Sequence, residues 1–435
     1  MSKETVCVFG ASISGMLISK VLAKSYKMIY LIDKRSTCEG NHRFDKELPQ
    51  ASHVHILLNK GLNELDKILP GIENDLIQAG GIKSNSTKNW WSYFPFGKFP
   101  DYQSKLEIVC VSRSLLENTI RHRILHEEPS IQFVDNANVI NYTLSGTDKP
   151  TVTYNGEMTQ TIEVDLLIDA TGQHSHADKV LKDHGFGSVN VETIDPKLGY
   201  ASRKYKDIPF DNGKHGILVM PKDPEIPRGG VVFPIENNEY MVTLYGFDKE
   251  QPINKDFDEF ARSLSTPTLY DHIKSATALT ETKQYVKKES HYKKYHQLSQ
   301  WPKGYLVIGD AVCSFNPIYG QGITASVCSI NNIQKQIVGV EPSSSVCKSM
   351  QKTIDNTYFI PWTISKNEDL RWDSTEGAKK TFLLSLMHKF MNKVIRIATV
   401  NPVVTEAFIG ILHMSKSPLE LFKPKVIKQI IKGLE

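Results

Sequence analysis

Two glycine-containing segments, far apart in the chain, have the residue types needed to hold a dinucleotide. The first, Gly10-Ala11-Ser12-Ile13-Ser14-Gly15, follows an apolar run and precedes a helical pattern. Such a turn lets backbone N–H groups and a helix N-terminus face a pyrophosphate. The second, Gly309-Asp310-Ala311, follows another apolar run and supplies a carboxylate. Together they predict that one ligand is held from both ends.

The elements that position the first segment are a strand from Thr5 to Phe9, a helix from about Ser14 to Lys24, and a strand from Met28 to Ile32. An acid closes the second strand 18 positions after Gly15 (33 minus 15), where it can accept ribose hydroxyls. Serine replaces the second glycine of the usual G-x-G-x-x-G and can donate its hydroxyl to phosphate. The alternative is a tight turn in a non-binding α/β domain. The cofactor candidates here are Gly10, Ser12, Ile13, Ser14, Gly15, Asp33 and Lys34.

The second segment continues as Phe315-Asn316-Pro317-Ile318-Tyr319-Gly320-Gln321-Gly322, after which a helix begins. This G-D-A…P-x-x-G-x-G stretch resembles that of flavoprotein monooxygenases of the aromatic-hydroxylase type (group A, p-hydroxybenzoate hydroxylase-like). The resemblance implies bound FAD, with Asp310 on the ribityl chain and with Pro317, Gly320, Gly322 and Ile323 at the flavin ring. A helix N-terminus there would stabilise the negative charge of a reduced flavin.

Two further segments fit the same frame. The strand from Val164 to Ile168 ends in Asp169-Ala170-Thr171-Gly172, which resembles the D-A-T-G turn of two-segment FAD proteins and adds Ala170, Thr171 and Gly172 to the cofactor candidates. The family often continues this turn with serine and arginine, but here Gln173-His174 follows. Ser112 is a candidate N-cap. Arg113 lies in a match to the family's S-R-x-x-L-E segment, which implies contact with FAD; a solvated surface charge is the alternative.

A His-x-His pair is the candidate for catalysis. On a strand, His53 and His55 would share one face, as a metal site requires, but no third ligand is suggested nearby. The segment resembles instead the P-Q-x-x-H-x-H-x-L stretch of a branch that includes bacterial polyether epoxidases. Further matches to that branch are 198–203, 361–371 and 413–424. The resemblance implies that Gln50, His53, His55 and Pro317 lie beside the flavin; a structural role for one histidine is the alternative.

The substrate candidates are aromatic. Trp90-Trp91-Ser92-Tyr93-Phe94 is too aromatic for an ordinary exposed loop, and it either lines a pocket or forms core under a long loop. We assign Trp90, Trp91, Tyr93 and, from the apolar run 230–235, Phe233 to the substrate side.

The resemblance implies a monooxygenase that uses NADPH or NADH and O2 to hydroxylate or epoxidise a small aromatic or alkene substrate through a flavin C4a-hydroperoxide. One alternative is hydroxylation of a tryptophan side chain of a partner protein in quinone-cofactor biogenesis. The others are a geranylgeranyl-type reductase and a non-catalytic FAD-binding scaffold. A flavin halogenase shares the fold, but the W-x-W-x-I-P signature expected of it is absent.

The predicted fold class is α/β: a Rossmann-like FAD-binding domain with an inserted antiparallel-sheet substrate domain and a C-terminal helical region. Residues 1–70, 105–185 and 290–345 form the FAD-binding domain. Residues 71–104 and 186–289 form the substrate domain, in which Glu236 to Glu239 is a hairpin turn. Residues 346–435 form a helical cap. Its apolar stripe from Leu383 to Ile395 predicts packing; a membrane-surface or partner-binding helix is the alternative, because lysines cluster among apolar residues near the end.

Composition limits the other function classes. Lys plus Arg is 52 against 48 for Asp plus Glu, and the net charge of +4 is not gathered into a basic stripe with interleaved aromatics, so a nucleic-acid partner is not expected. The six cysteines lack C-x-x-C spacing and are predicted to be reduced thiols. Without an apolar signal core or a membrane-length apolar stretch, a cytoplasmic protein is expected.

Overall fold

The computed structural model describes residues 4–36 and 52–433. The strands are β1 Thr5–Phe9, β2 Met28–Ile32, β3 Ile82–Asn85, β4 Trp90–Phe94, β5 Gly97–Lys98, β6 Glu107–Cys110, β7 Ile131–Val134, β8 Asn138–Thr143, β9 Thr151–Asn155, β10 Thr159–Glu163, β11 Leu166–Asp169, β12 Asn190–Ile194, β13 Leu198–Lys206, β14 Gly216–Val219, β15 Arg228–Pro234, β16 Glu239–Phe247, β17 Thr277–Ala278, β18 Lys283–Lys287, β19 Ser290–Lys294, β20 Tyr305–Val307 and β21 Cys313–Ser314.

The helices are α1 Ile13–Leu22, α2 Asn59–Ile68, α3 Ile72–Gln78, α4 Arg113–Glu127, α5 Ala177–Asp183, α6 Phe257–Arg262, α7 Thr268–Ile273, α8 Gly322–Ile337, α9 Ser344–Asp369, α10 Phe382–Ala398, α11 Pro402–Leu412 and α12 Pro424–Lys432. Short 3-10 turns cover Gly172–His174, Asp248–Glu250, Tyr295–Gln297, Gly309–Ala311, Pro317–Tyr319 and Pro418–Phe422.

A five-stranded parallel sheet carries the predicted cofactor segments, in the order β20-β11-β1-β2-β7. Helices cover one face of this sheet, and β8 and β9 pack on the other, where the Tyr142 ring lies 5.3 Å from that of Phe9. The strands of the sheet are short apolar runs because both faces are buried. The register pairs Phe9 with Asp169 on one side and with Ile32 on the other, and Asp169 with Val307. The carboxyl ends of four strands therefore stop in one line. Strands predicted at Thr5–Phe9 and Met28–Ile32 coincide with β1 and β2.

The inserted sheet has eight strands, with the path β17-β13-β16-β15-β14-β4-β5 and β18 also paired to β13. Its pairs are antiparallel except for β4 with β14. The predicted hairpin turn joins β15 to β16, and both of its central residues, Asn237 and Asn238, have positive φ, 63° and 56°. The predicted α/β architecture with an inserted antiparallel sheet and C-terminal helices is confirmed.

The two faces of the inserted sheet differ. On the outer face, Trp91 and Tyr93 pack with apolar residues of the sheet and of α6 and α7. The inner face is the opposite one, and there Trp90, Phe233 and Met241 pack against Val54 and Ile56. Side chains alternate between faces along a strand, so adjacent tryptophans point to opposite sides.

The C-terminal helices form a second core with one edge of the inserted sheet. Phe94 and Phe99 pack edge-on against Phe408 of α11. Helix α9, in contrast, packs in the core of the parallel sheet, so it runs across the predicted start of the cap at residue 346. The apolar stripe of α10 is only half packed. Its C-terminal half is buried, whereas Phe382 and Leu383 are 81% and 75% exposed.

Five of the six cysteines lie within the described residues, and all five are buried free thiols. Cys38 lies outside those residues. Among the helices of residues 4–36 and 52–433, none is long and apolar enough to cross a membrane.

The hairpin turn yields a stability prediction. Asn238→Val should lower the free energy of unfolding by about 1–2 kcal/mol, because a β-branched residue is strained at positive φ, whereas Asn238→Gly should not, since glycine adopts this conformation freely. Chemical denaturation of both variants measures the difference. Equal stability of the two variants would contradict the left-handed turn.

Candidate cofactor and substrate site

The turn after β1 is built by two glycines that leave no room for side chains. Gly10 has φ 101°, and a Cβ there would lie 2.4 Å from the Ala170 carbonyl oxygen. A Cβ on Gly15 would lie 1.8 Å from the carbonyl oxygen of Gly10. Helix α1 can therefore start directly against the strand end. Its first-turn N–H groups, which have no intrahelical acceptor, point out of the sheet edge.

Beside this turn lies a buried ion cluster around Glu117. Its carboxylate is fully buried and accepts hydrogen bonds from Arg113 Nε at 2.7 Å and from Ser12 Oγ at 3.1 Å, while Arg35 Nη1 lies 3.8 Å away. Burial alone would raise the pKa of Glu117, but the charges of Arg113 and Arg35 outweigh it and hold the pKa below its ordinary value. Arg113 thus faces α1 rather than solvent. The Ser12 hydroxyl, predicted to donate to phosphate, donates instead to this carboxylate.

Asp33, which follows β2, accepts hydrogen bonds at both of its carboxylate oxygens. Asp33 Oδ2 accepts from Ala11 N at 2.6 Å and from Arg35 Nη2 at 2.9 Å, and Oδ1 accepts from the Arg35 backbone N and Nε, both at 2.9 Å. Burial would raise the pKa of Asp33, but the Arg35 hydrogen bonds and charge lower it on balance. Lys34, which the sequence predicted as a cofactor residue, is exposed. The neighbouring residue Arg35 is the one that contacts Asp33.

The Gly309-Asp310 turn closes the other side of the sheet edge. Gly309 has φ 67°, and a Cβ there would lie 2.6 Å from Ser14 Oγ, so the two predicted glycine segments touch. Burial raises the pKa of Asp310, and the charges of Lys287 and Arg113 oppose that shift. Lys287 is 4% exposed and donates to Gln173 Oε1 at 3.1 Å and to Ser314 Oγ at 2.9 Å. A buried cation therefore accompanies the carboxylate.

The D-A-T-G turn joins this edge through its backbone. Ala170 N donates to Phe9 O at 2.9 Å, and Gly172 has φ 82°. The Asp169 side chain faces inward and accepts from Thr171 Oγ1 and Ser175 Oγ, both at 2.6 Å. This carboxylate therefore holds the turn itself, while Ala170, Thr171 and Gly172 lie at the sheet edge.

The turn from Pro317 to Gly322 packs against the segment that carries the histidine pair. Gly320 has φ 67°, and a Cβ there would lie 2.5 Å from Ile56 Cγ2. Leu58 N donates to Thr324 Oγ1, in the first turn of α8, at 3.2 Å. Pro317 is exposed, and Gly322 and Ile323 are partly buried. The stretch 52–58 therefore runs between this turn and the inner face of the inserted sheet.

His53 is held by the inner face. Its Nδ1 is hydrogen-bonded to Ser202 Oγ at 2.8 Å, and Ser202 is in turn bonded to Thr243 Oγ1 at 2.7 Å. Its ring lies 5.9 Å from that of Tyr200. Burial lowers the pKa of His53 to about 4, so its imidazole is neutral near pH 7. His55 is partly buried on the same stretch, and Gln50 lies outside the described residues.

A buried carboxyl group at the end of α9 extends this arrangement. Asp369 is 1% exposed, and its Oδ1 accepts from Asn316 Nδ2 at 2.6 Å and from Tyr319 Oη at 2.9 Å. Tyr200 Oη donates to Asn316 Oδ1 at 3.3 Å. Asp369 Oδ2 is buried without a hydrogen-bond partner among the residues described. Hydrogen bonds thus connect α9, the Pro317 turn and the inner face.

The charge state of Asp369 follows from its surroundings. Burial raises the pKa of Asp369 to about 7 and Glu368 adds to the shift, whereas Asn316, Tyr319 and Lys287 oppose it. Near pH 7 the neutral and ionised forms of Asp369 are therefore both populated.

The predicted substrate residues lie on opposite faces of the inserted sheet. Trp90 and Phe233 lie on the inner face, 5.8 Å apart between ring centroids, and Trp90 Nε1 donates to Ser84 Oγ at 3.0 Å. Trp91 instead lies 4.7 Å from the His272 ring, and Tyr93 Oη accepts from Thr268 Oγ1 at 3.0 Å. Trp91 and Tyr93 therefore help to form the core with α7, away from the Pro317 turn.

Four residues of this site had no assigned role from the sequence: Arg35, Glu117, Lys287 and Asp369. Arg35 could have been suspected because it follows Asp33, and Asp369 because it lies in a matched segment. Lys287 stands in an ordinary Lys-Lys pair with no signal. No group of three or more metal-ligating side chains occurs within 4–36 and 52–433.

Comparison with known proteins places this architecture. No protein-family model matches the chain. Protein Rv3254 of Mycobacterium tuberculosis is 22% identical over 433 residues, covering 94% of this chain and 89% of that protein. The p-nitrophenol 4-monooxygenase PnpA of Pseudomonas putida superposes with a TM-score of 0.65 at 14% identity, over 94% of this chain and 98% of that chain. The chain has the fold of flavin-dependent monooxygenases and halogenases.

The flavin-dependent brominase Bmp2 has the same fold. It superposes with a TM-score of 0.60 at 15% identity, over 99% of this chain and 92% of that chain. The similarity spans the flavoprotein fold from the parallel sheet to the C-terminal helices. The expected aromatic-hydroxylase-like fold is thus confirmed, whereas the narrower match to the polyether-epoxidase branch stays a prediction.

Asp369 gives a prediction on pH. Its folded-state pKa lies above the ordinary value of 3.8, so its contribution to stability is complete below about pH 4 and is lost as the pH rises through about 7. Asp369→Asn keeps the neutral shape and removes the titration, so the stability of the variant relative to the wild type should increase between pH 4 and 7 and then level off. Chemical denaturation between pH 4 and 8 measures the free energy of unfolding of both proteins, and Asp211→Asn, at an exposed position, is the control. If the stabilities of the wild type and Asp369→Asn change in parallel with pH, the pKa of Asp369 is not raised in the folded protein.

Proposed function

We propose that this protein is an FAD-dependent monooxygenase that uses NADPH or NADH and O2 to oxidise an aromatic or alkene substrate. One observation carries the proposal. The Pro317-to-Gly322 turn packs on one side of the stretch 52–58, and the inner face of the inserted sheet packs on its other side. The predicted flavin position and the aromatic inner face therefore adjoin the same segment, which carries His53 and His55.

The residues present fit FAD. At Gly10, Gly15 and Gly309 a Cβ would clash with neighbouring atoms, so the turns can be this tight only with glycine. The N-terminus of α1, with Arg113 beside it, offers hydrogen-bond donors and positive charge to a pyrophosphate. Asp310 is the candidate acceptor for sugar-type hydroxyls. Ribose hydroxyls reach Asp33 only if Arg35 releases one of its bonds, which a bound phosphate favours because it attracts the guanidinium.

FAD, when bound, supplies the redox and oxygen chemistry. The protein's share is positioning and proton control. Helix α8 begins at Gly322 and directs its positive end to the Pro317 turn, where it would stabilise negative charge. Trp90 and Phe233 belong to the aromatic inner face, neutral His53 is fixed by Ser202, and Asp369, whose Oδ1 accepts from Tyr319, can hold or release a proton because its pKa is about 7.

A second candidate, flavin-dependent halogenation, is supported by the similarity to the brominase Bmp2. The two activities differ in what enters the product, an oxygen atom or a halogen, so one assay separates them. Reduction of an alkene and oxidation of a tryptophan on a partner protein remain further outcomes of the same assay.

The cofactor prediction concerns Asp310. Asp310→Ala should bind FAD at least about tenfold more weakly, because a hydrogen bond to a charged group contributes about 1.5–3 kcal/mol. Fluorescence titration of the apoprotein with FAD measures it, and exposed Asp211→Ala is the matched control. An FAD affinity of Asp310→Ala equal to that of the wild type would refute the assignment of this site.

The activity prediction uses isotopic oxygen. The FAD-loaded protein, given NADPH or NADH and 18O2 with p-nitrophenol, other phenols or apolar alkenes, should consume the nicotinamide faster with one of these substrates and place one 18O atom in the product. Mass spectrometry reads the label, and the wild-type apoprotein without added FAD is the control. A brominated product formed in bromide buffer would establish the halogenase instead, and a reduced product without label would establish a reductase.

A further inference from the structure

The N-terminal half of α10 exposes large apolar side chains to solvent. Exposed fractions are 81% for Phe382, 75% for Leu383, 44% for Leu386 and 38% for Met387. Phe390 continues the row and stacks on Phe422 at 5.7 Å, and Phe422 is itself 60% exposed. We call this set the α10 face. Contiguous exposed apolar side chains of this size mark an interaction surface.

Helix geometry places cations directly beside this row. Phe382, Leu386 and Phe390 follow at intervals of four residues, so they stand one above another on a single side of α10. Lys389 and Lys393 are three and seven positions after Leu386 and lie on the same side. Both are exposed and make no ion pair with a carboxylate of the described residues. The α10 face is therefore an apolar stripe bordered by free positive charge.

The surrounding segment is strongly basic. Residues 377–433 contain ten Lys or Arg and two acids, Glu406 and Glu420, a net charge of +8 (10 minus 2). The whole chain carries +4, so the remaining residues carry −4 (4 minus 8). On α12, Lys425, Lys428 and Lys432 are all exposed and recur at intervals of three and four, which aligns them on one side. The C-terminal region thus has the opposite charge from the rest of the protein.

We propose that the α10 face docks this protein on an anionic membrane surface. Apolar side chains that protrude from a helix bordered by lysines match the composition of helices that lie in the interface plane, where the apolar groups enter the acyl boundary and the lysines meet anionic headgroups. None of the described helices crosses a bilayer, so the attachment is peripheral. This surface is separate from the proposed cofactor site, and its function does not depend on catalysis.

Vesicle flotation of the full chain tests the proposal. At low salt the protein should float with vesicles of phosphatidylcholine plus phosphatidylglycerol, should remain in solution with phosphatidylcholine alone, and should be released by high salt. Lys389→Glu with Lys393→Glu should weaken binding by about tenfold or more, since each basic residue near such a surface contributes about 1 kcal/mol. Lys179→Glu with Lys182→Glu, on exposed positions of α5, changes the net charge equally and should leave binding unchanged.

The apolar component has its own test. Phe382→Ser with Leu383→Ser should bind anionic vesicles more weakly and dissociate at lower salt than the wild type, whereas Ile140→Ser with Met158→Ser, which replaces exposed apolar residues of another sheet, should behave like the wild type. Circular dichroism confirms that each variant folds. Equal effects of both charge-reversed pairs, or no binding to anionic vesicles, would overturn the proposal. Self-association by light scattering that Phe382→Ser with Leu383→Ser abolishes would assign the face to a second copy of the chain.

Discussion

The close approach of α1 to the end of β1 is the constraint on which the rest of the site depends. Only a residue without a side chain can stand at Gly15, because its Cβ position is occupied by the Gly10 carbonyl oxygen. This contact brings the helix N-terminus to the line where β2, β11 and β20 also end. Gly309 then packs on Ser14, which joins two segments almost 300 residues apart (309 minus 14). Small residues at these contacts thus decide where the donors of four separate segments meet.

Buried charge is neutralised in two different ways around that line. Near α1, Asp33 and Glu117 stay ionised because Arg35 and Arg113 compensate for their loss of water. At the far side, Asp369 has only neutral donors at hydrogen-bond distance, and burial raises its pKa to about 7. Ion pairs therefore lie beside the turn after β1, and a carboxyl group that titrates near pH 7 lies beside the Pro317 turn. This division matches the separate needs of holding an anionic cofactor and reacting near its ring.

The features predictable from sequence are those encoded locally. Strand, turn and helix follow one another around Gly10, and Ser112 caps α4 as its sequence predicts, accepting from Leu115 N. Contacts across the fold have no such encoding. Lys287 reaches Gln173 over 114 positions, and nothing in its neighbourhood distinguishes it from an exposed lysine. Periodicity shows that Trp90 and Trp91 point to opposite faces of a strand, but the face that becomes the inner one is decided by what packs on the sheet.

The partial burial of α10 is another feature that depends on contacts across the fold. Its apolar stripe is continuous in sequence, yet α11 and α12 are long enough to cover only its C-terminal half, so Val394 is fully buried while Phe382 overhangs. The middle of α10 is attached to the neighbouring helix: His388 Nε2 is hydrogen-bonded to Asn367 O at 2.8 Å, and Arg371 Nη1 donates to Asn392 Oδ1 at 2.9 Å. Both bonds attach α10 to the end of α9 that carries Asp369. An exposed apolar face on a rigidly fixed helix has no packing function, and a helix tied to the end of the candidate site gives any surface that it meets a defined orientation toward that site.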